Sequence, residues 1–503
     1  MTASSAKVWF IGLDSLEPDL LRAAAAAGRC PNLATLLARG GTAVTSNSTG
    51  LYVGAVWPSF ATATGCARHG RACYTQLSPN SYRSKIFGVR QLRGDPFWRR
   101  ASAAGVRCAI VDLPKSLLSR DIDGAHVVDW GTHDPEEDGF GAVPASLERT
   151  IRDEIGPSPF RTCDELRRTA AHVVRFRDDL VERAKRRVRI FEAALETTRP
   201  ALAAVAFTET HCSGHQLWHL HDETHDRHDP RIVAEIGDPL LDVLAAVDAC
   251  VGQVLALAPS DARILVLLSH GMGRHYDGVN CFDEALERLE PFLPAGKPPS
   301  LYGRFARLLD RKTTRRWSRS LEKRFGRGLP LPPRAAGRTS FMIPNNDAWA
   351  GVRVNLVGRE PRGRIRPGAE YDEYLARLAT LLGEWKNGVT GEPVFGTILR
   401  TDTVHALPHA APLPDLLAEW RRDAPIRSIT SERIGTVEGR YNGLRSGDHR
   451  SDGLAIVVGP GIPRGPLPHP VPTEDLSPTL LAWAGVDWPG VDGRPVAEWC
   501  PGR

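Results

Sequence analysis

The 503-residue sequence predicts an α/β protein, with a mainly parallel central sheet and helices on both faces. Three observations carry this expectation. Short continuous apolar runs such as Ala201 to Phe207 and Arg263 to Leu268 read as strands buried on both sides. They alternate with longer segments that read as helices. Polar, chemistry-bearing residues gather just past the ends of the runs, where open α/β sheets bind ligands.

Lys7 to Leu13 (K-V-W-F-I-G-L) reads as a central strand ending in Asp14. Glu17 to Ala27 reads as a helix, and Pro31 opens a second one that Gly40-Gly41 closes. Pro58 is placed as a helix start, which puts Ser59 and Thr62 in the first turns, where backbone amides can cradle an anion. Val106 to Leu113 is strand-like, and Asp164 to Thr198 is long, charged and helical. The Ala201 strand leads into F-T-E-T-H-C-S-G-H-Q-L-W-H-L-H, read as a metal-binding loop against the alternative of a polar loop with chance histidines. Pro239 to Leu257 is an amphipathic helix, and Arg263 to Leu268 is a strand ending in Ser269-His270. From Arg304 to Arg327 there are ten Lys or Arg against Asp310 and Glu322. That stretch reads as a solvated helical insertion, with a membrane-surface, lid or partner helix as the alternative. Val352 to Val357 and Leu454 to Val458 are strand-like; Glu370 to Trp385 and Ser477 to Gly485 are helical.

A hydrophobic content of 42% and a charged content of 24% are ordinary for a globular protein. The net charge of +5 is small for this length; it does not argue for nucleic acid and tolerates a small anionic substrate. No signal-type segment opens the sequence, and no apolar run reaches the roughly 20 residues of a membrane span. Nine scattered Cys without a C-x-x-C pair fit a reduced, cytoplasmic protein.

Six of the 16 His fall within or just after the loop: His211, His215, His219, His221, His225 and His228. Strand-end positions then assemble a larger set. Asp14 follows the first strand, His211 and His215 the Ala201 strand, and Ser269-His270 the Arg263 strand, while Gly447-Asp448-His449-Arg450 precedes the Leu454 strand. Parallel strands bring the first three groups to one edge. Arg274, Arg445 and Arg450 lie near these motifs and are candidate anion binders.

These residues, in this order, resemble the alkaline phosphatase superfamily, in particular its type I phosphodiesterase/nucleotide pyrophosphatase branch. The resemblance rests on I-G-L-D at Asp14, on Pro58 with Thr64-Gly65 and His69-Gly70, and on His211-x-x-x-His215. It continues through Ser269-His270-Gly271-Met272, His449, the V-R-V-N-L-V-G-R-E-P-R-G stretch from Val352, and the tail P-T-E-D-L-S-P-T-L-L-A-W-A-G-V with D-G-R-P-V. It implies one alkaline phosphatase-like domain over residues 1–503, with a helical insertion at 120–200 and a basic helical insertion or cap at 290–345. It also implies one or two divalent metals, most simply zinc. One ion would take His211, His215 and His449; the other would take Asp14, His270 and Ser269.

Three positions depart from the family pattern. His211 and Ser269 stand where the family has Asp, and its Thr or Ser nucleophile falls on Val56. Ser59, Thr62, Ser48 or Thr49 then become nucleophile candidates, or a metal-bound water or a second substrate attacks directly. One Asp remains where the pattern has three, so a nearby acid (Glu209, Asp448, Asp277) substitutes, the substrate is strongly anionic, or only one metal binds. The expected activity is hydrolysis of a phosphoester or phosphodiester by metal-assisted in-line displacement, with a small phosphate- or sulfate-containing substrate. Phospho- or sulfo-group transfer to a small acceptor is the alternative, and a non-catalytic anion-binding protein the third. Homo-oligomerisation is left open.

Overall fold

The computed structural model describes the chain except residues 1–5, 133–138, 161, 163, 165–168, 295, 297–333, 406–411, 440, 442 and 502–503. The basic stretch from Arg304 to Arg327 therefore lies outside the described residues. The chain forms two compact units. The first comprises Met1–Arg71, Gly88–His275 and Gly443–Arg503; the second comprises Ala72–Phe87 and Tyr276–Asn442.

The first unit is built on a ten-stranded sheet: β1 (Val8–Leu13), β2 (Gly41–Ser46), β3 (Cys108–Val111), β4 (Gly124–Val128), β5 (Gly141–Val143), β6 (Leu202–Phe207), β7 (Arg263–Leu268), β8 (Gly453–Val458), β9 (Gly465–Pro466) and β10 (Val471–Pro472). The order is β9-β2-β8-β7-β1-β6-β3-β4-β5, with β10 also pairing β2. Neighbours from β7 through β1, β6 and β3 to β4 are parallel. β8 runs antiparallel to both β7 and β2, and β5 antiparallel to β4, so the sheet is mixed. Residues 120–200 contain β4 and β5 as well as the helix Ala170–Thr198.

Both faces of the sheet are covered, which is why its strands read as unbroken apolar runs. Alternation along β1 sends Trp9, Ile11 and Leu13 into one core and Val8 and Phe10 into the other. The first core takes in the helices Pro18–Ala26, Pro31–Arg39, Ala170–Thr198 and Pro239–Leu257; the second takes in Tyr52–Thr62, Phe97–Ala103 and Leu476–Trp483. Pro239–Leu257 has 19 residues and is long and apolar enough to cross a membrane by length and composition alone, as the core helix of a globular protein can also be. Its inner face carries a buried carboxylate, Asp248, that accepts from the Leu33 amide (2.8 Å) and the Asn32 amide (3.2 Å) at the start of the Pro31–Arg39 helix.

Two expectations need correction. The histidine-rich stretch is a helix, Glu209–His221, not a loop. Nearly all of it is buried, so it shows no polar-apolar alternation to betray the helical period. Pro58 does not start a helix but lies inside Tyr52–Thr62. Tyr52, Ala55 and Val56 are all buried, and this packing carries the helix upstream of the proline.

A two-stranded antiparallel ribbon, Gly271–Arg274 with Gly447–Arg450, packs on the Glu209–His221 helix. Two glycines permit the approach. A Cβ on Gly447 would lie 2.2 Å from the Gly214 carbonyl oxygen, and one on Gly214 would lie 2.9 Å from the Met272 methyl carbon.

The second unit has its own four-stranded antiparallel sheet, in the order Ser340–Ile343, Trp349–Val354, Leu416–Trp420, Phe395–Arg400. The strand expected at Val352 to Val357 belongs here, starting earlier at Trp349. Helices Val279–Leu289 and Ala369–Gly383 supply Phe282, Leu286, Tyr374 and Leu378 to its core.

Two predictions follow from this packing. Gly447→Ala forces the ribbon off the helix backbone and is expected to cost about 1–3 kcal/mol. Gly214→Ala meets only a flexible Met side chain and gains about 1 kcal/mol of helix propensity, so it should cost much less. Urea unfolding midpoints of the two variants test this order. Burial also pushes His69 and His126 down to about 3 and His219 and His225 down to about 4, from 6.5. These imidazoles stay neutral in the fold while the unfolded chain takes up protons below about pH 6.5. Their contribution to stability should therefore be flat above that pH and fall as the pH drops toward about 4, as thermal denaturation of the metal-free protein from neutral to acid pH will show.

Candidate metal centre

The site is assembled at the carboxyl edge of β1, β6 and β7. Asp14 follows β1, the Glu209–His221 helix follows β6, and Ser269-His270 follows β7. β8 is antiparallel to β7, so its amino end lies at this same edge and brings the preceding ribbon strand with His449.

His211 and His215 sit one helical turn apart on one face. Their ring centroids are 4.5 Å apart, and those of His449 are 4.5 Å from His215 and 5.1 Å from His211. One nitrogen from each of the three rings lies within 4.8 Å of the other two, and all three residues are buried. His270 packs against His449, with ring centroids 4.4 Å apart.

His215 is the best-defined member. Its Nδ1 donates to the Gly447 carbonyl at 2.7 Å, which leaves the Nε2 lone pair facing the group. That Nε2 accepts from Arg445 Nη1 at 3.3 Å and lies 3.1 Å from His449 Nε2. Burial first, and then the positive charge of Arg445, holds His215 well below the usual imidazole range; burial likewise pushes His270 down to about 4. Both rings are neutral at pH 7 and able to donate lone pairs. Three imidazole nitrogens with no carboxylate among them suit a borderline cation such as zinc, and leave a fourth position open.

The other expected ligands are arranged differently. The Ser269 hydroxyl donates to Asp14 Oδ1 (3.0 Å) and accepts from the Ser15 amide (3.1 Å). The same Asp14 oxygen accepts from Trp57 Nε1 at 2.9 Å. Glu209 is fully buried and bound by Arg183 (2.6 Å) and Arg187 (3.0 Å), and Arg187 also pairs with Asp112. It is therefore committed to a buried ion cluster and not to the imidazoles. Strand alternation turns Asp448 to the face of the ribbon opposite His449. Asp277 accepts from the Val279 amide (2.9 Å), next to the start of the Val279–Leu289 helix.

Two of the hydroxyl candidates, Ser59 and Thr62, are also occupied. His69 Nδ1 accepts from the Arg71 amide (3.1 Å), so the proton of this neutral ring is on Nε2, which donates to Ser59 Oγ at 3.1 Å. A ring that donates to Ser59 cannot take its proton. Ser59 in turn bonds to Glu474, opposing the rise that burial imposes on that carboxyl. Thr62 Oγ1 donates to the Pro58 carbonyl at 2.8 Å. Both side chains are buried, and Val56 lies in the second apolar core. Arg274 pairs with Asp222 at 2.5 and 3.1 Å; although burial opposes it, Arg274 holds that carboxyl well below its usual range. Arg450 is exposed, with its charge acting on Glu17.

Arg445 is the arginine that reaches the imidazoles, and Asp164 grips it at 3.0 and 2.8 Å. Asp164 and Tyr52, whose hydroxyl donates to the His449 carbonyl at 3.2 Å, were not recognised from sequence. Neither carries a local motif, since both contacts are made across more than 280 residues of chain. Ser446 is a further hub: its amide donates to the His215 carbonyl (2.6 Å), and its side chain contacts His219 Nδ1 (3.0 Å). His225 Nε2 lies 3.1 Å from the Ser446 carbonyl, so the histidines downstream of the site hold its loop.

Two solved structures of phosphonoacetate hydrolase from Sinorhizobium meliloti 1021, in complex with phosphonoformate and with phosphonoacetate, are similar to this chain. Identities are 15% and 14%, TM-scores 0.50, and coverage 96% of each chain in both cases. These identities support the shared α/β fold and nothing finer. No curated protein matches the chain. The sequence profile of type I phosphodiesterase/nucleotide pyrophosphatase matches residues 8–406, a span that takes in β1, the Glu209–His221 helix and His270. The chain belongs to the type I phosphodiesterase/nucleotide pyrophosphatase family, a family of phosphoester hydrolases.

Proposed function

We propose that this chain hydrolyses a small anionic phosphoester or phosphodiester by metal-assisted in-line displacement at His211, His215 and His449. The observation that carries the reading is the convergence of three buried imidazoles, one with its tautomer set by the Gly447 carbonyl. A divalent ion, zinc by ligand preference, would supply Lewis-acid stabilisation of phosphoryl oxygens when bound. The protein supplies the rest. Arg445, oriented by Asp164, offers guanidinium N–H groups beside His215 and binds the substrate's non-bridging oxygens. Burial holds His215 well below the usual imidazole range, so that ring is neutral at pH 7.

Neither Ser59 nor Thr62 supports a covalent step, because the His69 proton points at Ser59 and the Thr62 hydroxyl is spent on the Pro58 carbonyl. The attacking oxygen then comes from water: its bond to phosphorus forms as the ester P–O bond breaks, and the leaving oxygen gains a proton. The same absence of an activated hydroxyl favours a second reading, in which a bound acceptor alcohol replaces water and the protein transfers the group.

Turnover of an aryl phosphodiester should fall about 100-fold or more in His449→Ala, the scale of losing one preorganised electrostatic element. Arg445→Ala should raise KM about tenfold, a loss of about 1.4 kcal/mol. Ser59→Ala should leave kcat unchanged. A chirally labelled phosphorothioate substrate should give inverted configuration at phosphorus. Retention, or loss of turnover in Ser59→Ala, would instead require a protein nucleophile. Supplying a small alcohol and analysing the products separates transfer from hydrolysis.

A further inference from the structure

We infer that this chain holds one divalent ion, at His211, His215 and His449, and that the second metal position implied by its family has been converted into a hydrogen-bonded joint. The inference rests on the metal-assisted reading above and concerns residues that reading does not use.

Asp14, Ser269 and His270 would form the second position. The Ser269 hydroxyl gives its proton to Asp14 Oδ1 and accepts from the Ser15 amide. Its hydrogen-bonding capacity is turned toward the protein, and a neutral hydroxyl is a poor ligand for zinc. Asp14 Oδ1 also takes the Trp57 indole N–H at 2.9 Å and lies 3.5 Å from the Ser15 hydroxyl, so neutral donors already saturate it. What remains is the second Asp14 oxygen and the His270 ring, two ligands where a catalytic zinc needs three from protein. Of the candidate acids, Glu209 is held through Oε1 by two arginines, Asp277 accepts from the Val279 amide, and Asp448 lies on the ribbon face opposite His449.

The charge count agrees. Three carboxylates with two divalent ions leave one net positive charge. With His211 and Ser269 in place of two of those carboxylates, one carboxylate with one ion leaves the same charge. A second ion here would leave three, beside the Arg445 guanidinium, and uncompensated buried charge is costly. The two substitutions together remove two negative charges, the amount that compensates one divalent ion.

The test is a metal count on the full chain, purified without added metal and dialysed against zinc, with cobalt(II) substitution as an optical readout independent of turnover. Wild type should hold one ion per chain with a tetrahedral cobalt spectrum. His215→Ala should lose that ion, while His270→Ala should keep it. Ser269→Asp, checked for folding by circular dichroism, should rise to two. A wild-type count of two, an ion lost in His270→Ala but kept in His215→Ala, or a folded Ser269→Asp protein still holding one overturns the inference while leaving the metal-assisted reading intact. A wild-type protein that binds neither zinc nor cobalt overturns both.

Discussion

The hydrogen bond from His215 Nδ1 to the Gly447 carbonyl is the contact on which the site depends. It joins a helix that follows one strand of the sheet to a ribbon that precedes another, across more than 230 residues of chain. At 2.7 Å it requires the two backbones nearly to touch, and Gly214 and Gly447 are what allow them to. It also settles where the His215 proton lies, leaving Nε2 as a lone pair pointing at His449 and Arg445. Packing and chemistry are thus fixed by one bond. A side chain at Gly447 would disturb the orientation of His215 as well as the stability of the ribbon.

The parallel strands and their end residues were legible because strands covered on both faces are written as plain apolar runs. The pairing of His211 with His215 was legible from spacing, but the helix carrying it was not. A helix buried on all sides loses the alternation by which helices are recognised, so a run of polar letters passed for a loop. His449 is the reverse case. Its arrival at the carboxyl edge requires β8 to run antiparallel to β7, and nothing local to the Leu454 run states its direction. Pro58 misled because a proline marks a helix start only where no packing reaches further upstream, and here Tyr52, Ala55 and Val56 extend the helix.

The placement of Ser59 and Thr62 has a chemical consequence. Both are buried in the later turns of Tyr52–Thr62, away from its amino end, and both hydroxyls are spent on local bonds. The Ser59–His69 pair resembles a nucleophile and base by distance alone, yet the Arg71 amide at His69 Nδ1 reverses the direction of the bond. Proton accounting, and not proximity, removes it from the reaction. On the proposed reading, a positioned external attacker takes the place of Ser59, and Arg445, gripped by Asp164, supplies the phosphoryl clamp.

Asp14 shows how a site can change its chemistry while keeping its architecture. In a two-metal arrangement a carboxylate at the end of β1 would be bound by a cation shared with the end of β7. Here the same carboxylate still ties those two strand ends together, through Ser269, and adds the Tyr52–Thr62 helix through Trp57. Neutral donors perform the cross-linking, with no ion to desolvate and no charge to balance. The joint therefore does not depend on metal supply, whereas His211, His215 and His449 bring buried nitrogens within 4.8 Å of one another with no carboxylate among them.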